Sequence, residues 1–267
     1  MAKLALLFLA AGKSSRFGGE PKILSKIGSN GESLFELSIL QIKQHITIKQ
    51  IHMVLNEENY SIIMEEVIKI SKKYNLECKV TFNIQNIPSD RTKPWGTAEA
   101  AASAHEYITD QFLLLNSDDL YDTKTFQQIN EKCKSNENYI IGFKLGNTLK
   151  NNNKANRGFI TEKNGIVILN ERLNIQREYF SNIILNQQYV SVNLFLLKPE
   201  ILKMLYIQSL SFKQLHKMNT SIEAMLPDFI NDLVNNKLIN LKLIKTDGEW
   251  NGVTYKSDVE EVKHLLK

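Results

Sequence analysis

Apolar and polar positions follow two alternating patterns in the first half of the chain. Short apolar runs of strand length are separated by longer segments whose apolar residues recur at helical spacing. The apolar runs fall at residues 4–9, 51–55, 78–84, 112–115 and 139–143, and the helical segments near 33–45, 57–74, 97–107 and 123–134. This alternation predicts repeated β-α-β units and therefore an α/β fold, with a doubly wound, mostly parallel sheet and helices on both faces.

The second half follows a short polar loop, Asn151-Asn152-Asn153-Lys154. Its pattern predicts strands at 157–161, 166–170, 190–197 and 240–245, with helices near 199–206, 222–235 and 256–266. The loop is too short for a domain linker. We therefore expect one domain over residues 1–267, in which about 1–150 form one half and about 151–267 extend the same sheet.

The composition is that of an ordinary globular protein. The 267 residues are 43% hydrophobic and 23% charged, which allows one sizeable core. The net charge of +4 is spread without a concentrated basic tract, and this suits small anionic substrates as well as nucleic acid. Cys78 and Cys133 lie far apart and outside any C-x-x-C pair, which favours reduced structural thiols.

The N-terminus has two readings. Lys3 followed by the apolar run from Leu4 to Ala11 superficially resembles a secretory signal. The run is near the lower length limit for a signal, so we favour a first strand. No stretch approaches the roughly 18 apolar residues of a membrane span. We expect a soluble, cytoplasmic protein.

The stretch after the first predicted strand is rich in glycine, serine and basic residues. From Gly12 to Lys22 it offers flexible backbone, amide donors and three cations, as a loop around a triphosphate requires. It is not a P-loop, because G-x-x-x-x-G-K-S/T would need glycine where Leu7 stands. It is not G-x-G-x-x-G either, because Ser14 takes the middle position. Taken alone, such a loop is more often a solvated turn.

The whole segment LAAGKSSRFGGEPK, residues 9–22, closely resembles the signature L-A-A-G-x-G-S/T-R-F/M-G-G-x-x-K of the sugar-phosphate nucleotidylyltransferases. The resemblance implies a Rossmann-like nucleotidyltransferase fold and a loop that wraps the nucleotide phosphates. Two catalytic cations are implied: Arg16 on the triphosphate and Lys22 at the reacting phosphorus. Ser14 departs from the family's glycine. The implied nucleotide-binding residues of the loop are Ala10, Ala11, Gly12, Lys13, Ser14 and Ser15.

A second stretch, RTKPWGTAEAAASA at 91–104, predicts a helix that Thr97 caps at its N-terminus. It is similar to the family segment P-x-G-T-x-x-A, which implies that Gly96 and Thr97 contact the nucleobase and ribose. Trp95 is at least as well explained by packing as by ligand stacking. Gln85 stands where relatives often have a glutamine that reads the base edge, although a surface amide is the alternative.

A third stretch, FLLLNSDDLYD at 112–122, is an apolar strand that ends in Asp118 and Asp119. These carboxylates should emerge at the carboxyl end of the strand, where magnesium could join them to phosphate. The resemblance implies that Asp118 is the Mg²⁺ ligand. Asp119 is about equally well explained by a direct role and by capping of the following helix.

Later stretches resemble the acceptor-binding part of the family. RGFITEKNGIVILNERLNI at 157–175 matches a hairpin followed by a sugar-binding glutamate, which implies roles for Gly158 and Glu171. VSVNLFLLKPEI at 190–201 implies that Asn193 reaches the acceptor. A solvated glutamate and a buried asparagine that satisfies nearby backbone are the alternatives.

The stretch EWNGVTYKSD at 249–258 resembles a late segment in one branch of the family. Other branches carry a second metal ligand near this point. Here the aligned position falls on Thr254, and the nearest acid downstream is Asp258. Capping of the last predicted helix is the alternative for Asp258.

The resemblance implies a magnesium-dependent nucleotidyltransferase that transfers a nucleoside monophosphate group to a sugar 1-phosphate or a similar phosphomonoester, with release of pyrophosphate. The partners would be a nucleoside triphosphate and a phosphorylated small acceptor, without nucleic acid or membrane, and the oligomeric state stays open, a homo-oligomer included. Residues 1–150 would then be the nucleotide-binding half and 151–267 the acceptor-binding half. Two alternatives remain: a nucleotide-sugar-dependent glycosyltransferase, although Asp118-Asp119 lacks the D-x-D spacer, and a non-catalytic nucleotide-binding regulator.

Overall fold

The computed structural model describes residues 1–12, 21–149, 154–163, 165–253, 258–259 and 262–263. In chain order the strands are β1 (Ala2–Ala10), β2 (Ile46–Leu55), β3 (Lys79–Ile84), β4 (Phe112–Asn116), β5 (Asp119–Tyr121), β6 (Asn138–Lys144), β7 (Ala155–Lys163), β8 (Ile166–Ile175), β9 (Tyr189–Ser191), β10 (Phe195–Leu197), β11 (Leu241–Thr246) and β12 (Trp250–Gly252). The α-helices are α1 (Leu34–Lys43), α2 (Tyr60–Lys73), α3 (Thr97–Ala102), α4 (Thr123–Lys132), α5 (Asn182–Gln187), α6 (Glu200–Leu215) and α7 (Leu226–Asn235).

Ten of these strands form one mixed sheet in the order β3-β2-β1-β4-β10-β6-β9-β7-β8, and β11 pairs with β6. The first four strands in this order are parallel to one another. β5 and β12 form a separate antiparallel pair beside the sheet. The predicted fold class is confirmed, with the parallel pairing concentrated in the first half of the chain.

The alternation of side chains along β1 explains the two helical layers. Leu4, Leu6 and Phe8 belong to a core cluster that also contains apolar residues of α1, α2 and α4. Ala5 and Leu7 point the other way, into a second cluster with α3, α6 and α7. Since successive strand residues face opposite sides, a continuously apolar strand must be covered on both faces.

The second half of the sheet is built mostly from antiparallel pairs, with β11 parallel to β6 as the exception. β7 and β8 form a hairpin, and β7 also pairs with β9. β9 and β10 together span the segment predicted as one strand at 190–197. They are separated near Asn193, whose φ of 63° is in the left-handed region. At this break the segment changes its second neighbour from β7 to β4, while both parts stay paired with β6.

The structure also differs from the pattern-based prediction at the ends of two helices and in several short elements. The helix predicted over 97–107 ends at Ala102, and α6 continues to Leu215. The pattern missed α5, β5 and β12, which have six residues or fewer. Such short elements give no measurable period. Among the described helices, none combines the length and the hydrophobicity that a membrane crossing requires.

Candidate functional site

The carboxyl ends of the four parallel strands lie at one edge of the sheet, where the ends of β1 and β4 border one cavity and the loops after β2 and β3 border another. β1 ends at Ala10 and leads to Gly12, while Asn56, Gln85 and Asp118 follow β2, β3 and β4 within two residues. Parallel neighbours end at the same edge of a sheet, and open α/β sheets bind ligands there. The structure therefore brings Gly12, Gln85 and Asp118 to the edge that the sequence predicted.

Lys22 and Asp118 form an ion pair at the cavity beside β1 and β4. Lys22 begins a short 3-10 turn, Lys22–Leu24, whose middle residue is buried. The end of β4 stays beside β1, because Ser117 N donates to Leu9 O at 3.2 Å. Lys22 Nζ lies 3.0 Å from Asp118 Oδ2, and the two side chains remain 18% and 34% exposed. Both line a cavity of about 90 Å³, so these two predicted groups share one site.

Asp119 has a different environment from Asp118. It is buried in β5, where its Oδ2 accepts hydrogen bonds from Asn116 Nδ2 at 2.9 Å and from the Tyr121 hydroxyl at 3.1 Å. Burial, together with the negative charge of Asp118, raises the pKa of Asp119. The capping alternative for Asp119 is wrong, because the side chain of Asp122 caps α4. Asp118 is thus the more accessible carboxylate of the two.

A divalent cation would find one accessible carboxylate at this position. The described part of the chain contains no group of three His, Cys, Asp or Glu side chains placed to hold a metal ion. Val253 N donates to Asp118 O at 2.9 Å and fixes the main chain there. Magnesium prefers oxygen ligands and commonly keeps water and phosphate oxygens in its shell. The residues present therefore fit magnesium that is held jointly by Asp118 and a phosphorylated ligand.

Residues 250–253 run beside both Asp118 and Asp119. In the pairing of β12 with β5, Gly252 lies opposite Asp119. Thr254, one of the two candidates for a second metal ligand, lies outside the described residues. Asp258, the other, is a buried residue in the described helical piece 258–259. Their roles as ligands stay predictions.

The main chain at Gly12, where the loop of residues 12–22 begins, is held by the side chain of Asn56, a contact that the sequence did not predict. The side chain of Asn56 is buried and donates to Gly12 O at 3.1 Å, while its Oδ1 accepts from Asn59 N at 2.8 Å. Ala10 and Ala11 are also buried. Asn56 therefore holds the main chain where the loop leaves the sheet. The remaining predicted loop residues, Lys13, Ser14, Ser15 and Arg16, lie outside the described residues.

Gln85 is a buried residue, so the surface-amide alternative is wrong. Its Nε2 donates to Gly96 O at 3.0 Å and to Glu99 Oε2 at 2.7 Å. Both partners are acceptors, which fixes the orientation of the amide. The described residues give Gln85 Oε1 no hydrogen bond. Gln85 lines a cavity of about 300 Å³ formed by the loops after β2 and β3, a size that admits a small ligand.

The predicted cap of α3 is wrong in one detail. Thr97 is the first helical residue, and Gly96 is the N-cap. The Thr97 hydroxyl instead accepts a hydrogen bond from Leu226 N at 3.0 Å, at the first residue of α7. Gly96 has φ of 105°, and a Cβ added there would lie 2.4 Å from Ala224 O. The P-W-G-T motif therefore serves a close contact with the segment before α7.

Trp95 is a packing residue. It is 7% exposed, its ring meets Phe212 edge to face at 6.4 Å, and the Arg91 guanidinium lies 3.4 Å from its ring centroid. With one face covered by Arg91, the indole gives little surface to a ligand.

Two of the three predicted acceptor-binding residues, Gly158 and Glu171, are paired on adjoining strands, and the third, Asn193, lies just after β9. Gly158 in β7 pairs with Glu171 in β8 on one side and with Ser191 in β9 on the other. A Cβ at Gly158 would lie 3.8 Å from Glu171 Oε2. Asn193 lies two residues after Ser191, and its main-chain N–H donates to Ser191 Oγ at 3.1 Å. The side chain of Asn193 makes no hydrogen bond to the described residues, contrary to the backbone-satisfying alternative.

Charged groups missed by the sequence reasoning surround Glu171. Burial, together with the negative charge of Asp228, raises the pKa of Glu171, and Arg157 opposes this shift. Burial also lowers the pKa of Arg157 to about 10. Arg157 lies 4.5 Å from the Trp250 ring centroid, which links β7 to β12. The R-G dipeptide at 157–158 was visible in the sequence, whereas Asp228 lies on a helix with no motif.

Comparisons with known proteins agree with this geometry. The family model described as nucleotidyl transferase matches residues 8–264. The inositol-1-phosphate CTP transferase from T. maritima superposes with a TM-score of 0.69 at 14% identity, covering 100% of this chain and 97% of that one. A protein from Bacillus anthracis assigned as a glucose-1-phosphate thymidylyltransferase gives 0.69 at 14% identity, covering 99% and 95%.

A third solved structure, the UTP-bound UGPase from Acinetobacter baumannii, gives a TM-score of 0.62 at 15% identity, with coverage of 99% and 93%. At such identities these likenesses establish the fold. No curated protein matches the sequence at a significant level.

Proposed function

The chain belongs to the nucleotidyl transferase family, and we propose that it transfers a nucleoside monophosphate group from a nucleoside triphosphate to a sugar 1-phosphate or a similar small phosphomonoester. The observation that carries this proposal is the pair of Lys22 Nζ and Asp118 Oδ2, 3.0 Å apart at the carboxyl edge of the sheet. A cation and a magnesium-type ligand at one point are what phosphoryl chemistry needs.

The reaction is an in-line substitution at the α-phosphorus. An oxygen of the acceptor phosphate forms a bond to the α-phosphorus, and the bond between that phosphorus and the bridging oxygen to the β-phosphate breaks. Pyrophosphate leaves with the bonding electrons. The nucleophile is already an anion, so the step needs no general base and depends on positioning and charge stabilisation.

The chain's own residues supply that stabilisation. Lys22 donates hydrogen bonds to the α-phosphoryl oxygens as charge shifts during the step. The main chain at Gly12, held by Asn56, faces the other phosphates. Arg16 takes the departing pyrophosphate. Asp118 would hold a magnesium ion, which when bound neutralises negative charge on the phosphate oxygens.

Gln85 is proposed to bind the edge of the nucleobase through its side-chain oxygen. Its amide nitrogen is already engaged by Gly96 and Glu99, which leaves Oε1 as an acceptor. Uracil and thymine offer an N3–H donor and cytosine an amino group, but adenine and guanine also offer donors, so this oxygen alone does not select pyrimidines. The solved relatives named above include a CTP transferase and a UTP-bound protein. From these relatives we place UTP, CTP and dTTP ahead of the purine triphosphates.

The acceptor side is proposed from Gly158, Glu171 and Asn193. Glu171 would accept hydrogen bonds from acceptor hydroxyls. Gly158 leaves room between β8 and β9, since a side chain there would meet Ser191 Cβ at 3.4 Å. Asn193 would add an amide from the break between β9 and β10. Such a set of polar groups suits a sugar phosphate.

The test is a matrix of ATP, CTP, GTP, UTP and dTTP against a panel of hexose 1-phosphates and other phosphomonoesters. Pyrophosphate release is measured with magnesium present and with magnesium removed by chelation. The proposal expects release that needs both substrates and magnesium. Binding of triphosphate without release against any acceptor would contradict it and would favour a regulatory nucleotide-binding role.

A further inference from the structure

Arg91 is buried and is one of the residues that line the proposed nucleobase cavity. It is 8% exposed. Its guanidinium donates three hydrogen bonds to main-chain carbonyls: to Lys93 O at 3.2 Å, Asn219 O at 2.8 Å and Ile222 O at 2.5 Å. A buried charge is costly unless it is fully bonded, so this placement requires all of these carbonyls.

The three bonds join two separate segments of the chain. One segment is the loop 88–96, which contributes to the cavity wall with Gln85. The other is residues 219–224, between α6 and α7. Trp95 lies under the guanidinium at 3.4 Å and bonds to the second segment through its carbonyl, which accepts from Ala224 N at 2.6 Å. Ala98 N donates to Ala224 O at 3.0 Å on the other side of Gly96.

The second segment leads directly into α7, which reaches the acceptor strands. The first residue of α7, Leu226, donates its N–H to Thr97 Oγ1. Farther along, Asn231 bonds both the N and the O of Leu169 in β8, at 2.9 Å and 2.6 Å. A continuous set of hydrogen bonds therefore runs from the cavity wall through α7 to the strand that carries Glu171.

We propose that Arg91 is a positioning residue, which fixes the nucleobase wall against the 219–224 segment and thereby sets α7 and the acceptor strand β8 relative to the bound nucleotide. This inference rests on the proposed function for its substrates. Arginine is required at this point, because a planar fork can bond several carbonyls while its face stacks on Trp95. A lysine would keep the charge but would lose the stacking and most of the bonds.

The matched variants are Arg91→Lys and Lys93→Ala. The second removes the ion pair of Lys93 with Glu223, at 2.9 Å, which joins the same two segments at the surface. Arg91→Lys should raise the KM for triphosphate by about 10- to 100-fold and also raise the acceptor KM, while kcat at saturation changes much less. Lys93→Ala should leave all three values within about two-fold. A folded Arg91→Lys variant that matches Lys93→Ala would overturn the inference.

A second readout needs no variant and no turnover. Hydrogen exchange is measured on the wild-type chain, with and without whichever of ATP, CTP, GTP, UTP and dTTP binds most tightly. The inference expects slower exchange at the amides of Ala224 and Leu226 when nucleotide is bound. Unchanged exchange at both would contradict it. Failure of the proposed function is a separate result, since it would appear as absent pyrophosphate release from the wild type while these binding readouts remain measurable.

Discussion

Lys22 Nζ and Asp118 Oδ2 lie 3.0 Å apart, although 96 residues separate them in the chain. The contact arises because β1 and β4 are parallel neighbours whose carboxyl ends open onto the same cleft. In the free chain the ammonium therefore balances the carboxylate that is proposed to hold magnesium. In the proposed reaction, nucleotide and metal would both bind between these two side chains, next to the reacting phosphorus.

Lys22→Ala should reduce turnover by about 10²- to 10³-fold, because it removes the cation proposed to stabilise the α-phosphoryl charge. The measurement is the initial rate of pyrophosphate release at saturating substrates. Lys26→Ala is the control, since Lys26 has a mostly exposed side chain and pairs with Glu66 at 3.6 Å nearby. Near-normal turnover in Lys22→Ala would remove this lysine from the mechanism.

Asp118→Asn should raise the magnesium concentration needed for half-maximal activity by about ten-fold or more, because an amide oxygen carries no full negative charge. Magnesium is titrated at fixed triphosphate. Asp122→Asn is the control, as Asp122 caps α4 and does not contact Lys22. An unchanged magnesium dependence in Asp118→Asn would exclude this carboxylate as the ligand.

His52 should make the fold sensitive to acid. It is fully buried in β2 between Thr81 and Asn83, and burial lowers its pKa from 6.5 to about 4. The unfolded chain binds the proton below pH 6.5, while the folded chain excludes it until about pH 4. Stability from this group is therefore complete above pH 6.5 and falls by about 3 kcal/mol as the pH drops through this window.

Urea unfolding at pH 7 and at pH 4.5 measures this effect. In His52→Gln the loss of stability between the two pH values should be smaller than in the wild type, whatever the stability of the variant at pH 7. His105→Gln, at a partly exposed site, serves as the control for the substitution itself. Equal pH dependence in His52→Gln and the wild type would show that His52 is not the acid-sensitive group.

Gly96→Ala should destabilise the fold by more than the usual cost of a side chain at positive φ, about 1–2 kcal/mol. The reason is the main chain of Ala224, whose O would lie 2.4 Å from the new Cβ. Gly31→Ala is a matched control, because its φ is 81° and nothing lies within 4 Å of an added Cβ. Urea midpoints compare the two, and equal losses would mean that the close approach to Ala224 is unimportant.

The sequence predicted those parts of the site that follow strand periodicity or match a motif. The closeness of Lys22 and Asp118 follows from the order of parallel strands. The roles of Thr97 and Arg91 do not, because both side chains bond to main chain more than 120 residues away. The local sequence predicts that Thr97 caps α3. In the structure its hydroxyl instead accepts a hydrogen bond from the first residue of α7. The buried amide of Gln85 likewise depends on Glu99 in another element.

The most direct test of the central claim follows the phosphorus atoms themselves. Parallel reactions use the active triphosphate labelled with ³²P at the α position or at the γ position, together with its acceptor. Attack at the α-phosphorus between Lys22 and Asp118 predicts that the α label appears in the acceptor product and the γ label in pyrophosphate. Transfer of the γ label to the acceptor, or retention of the α label in the triphosphate, would contradict the account.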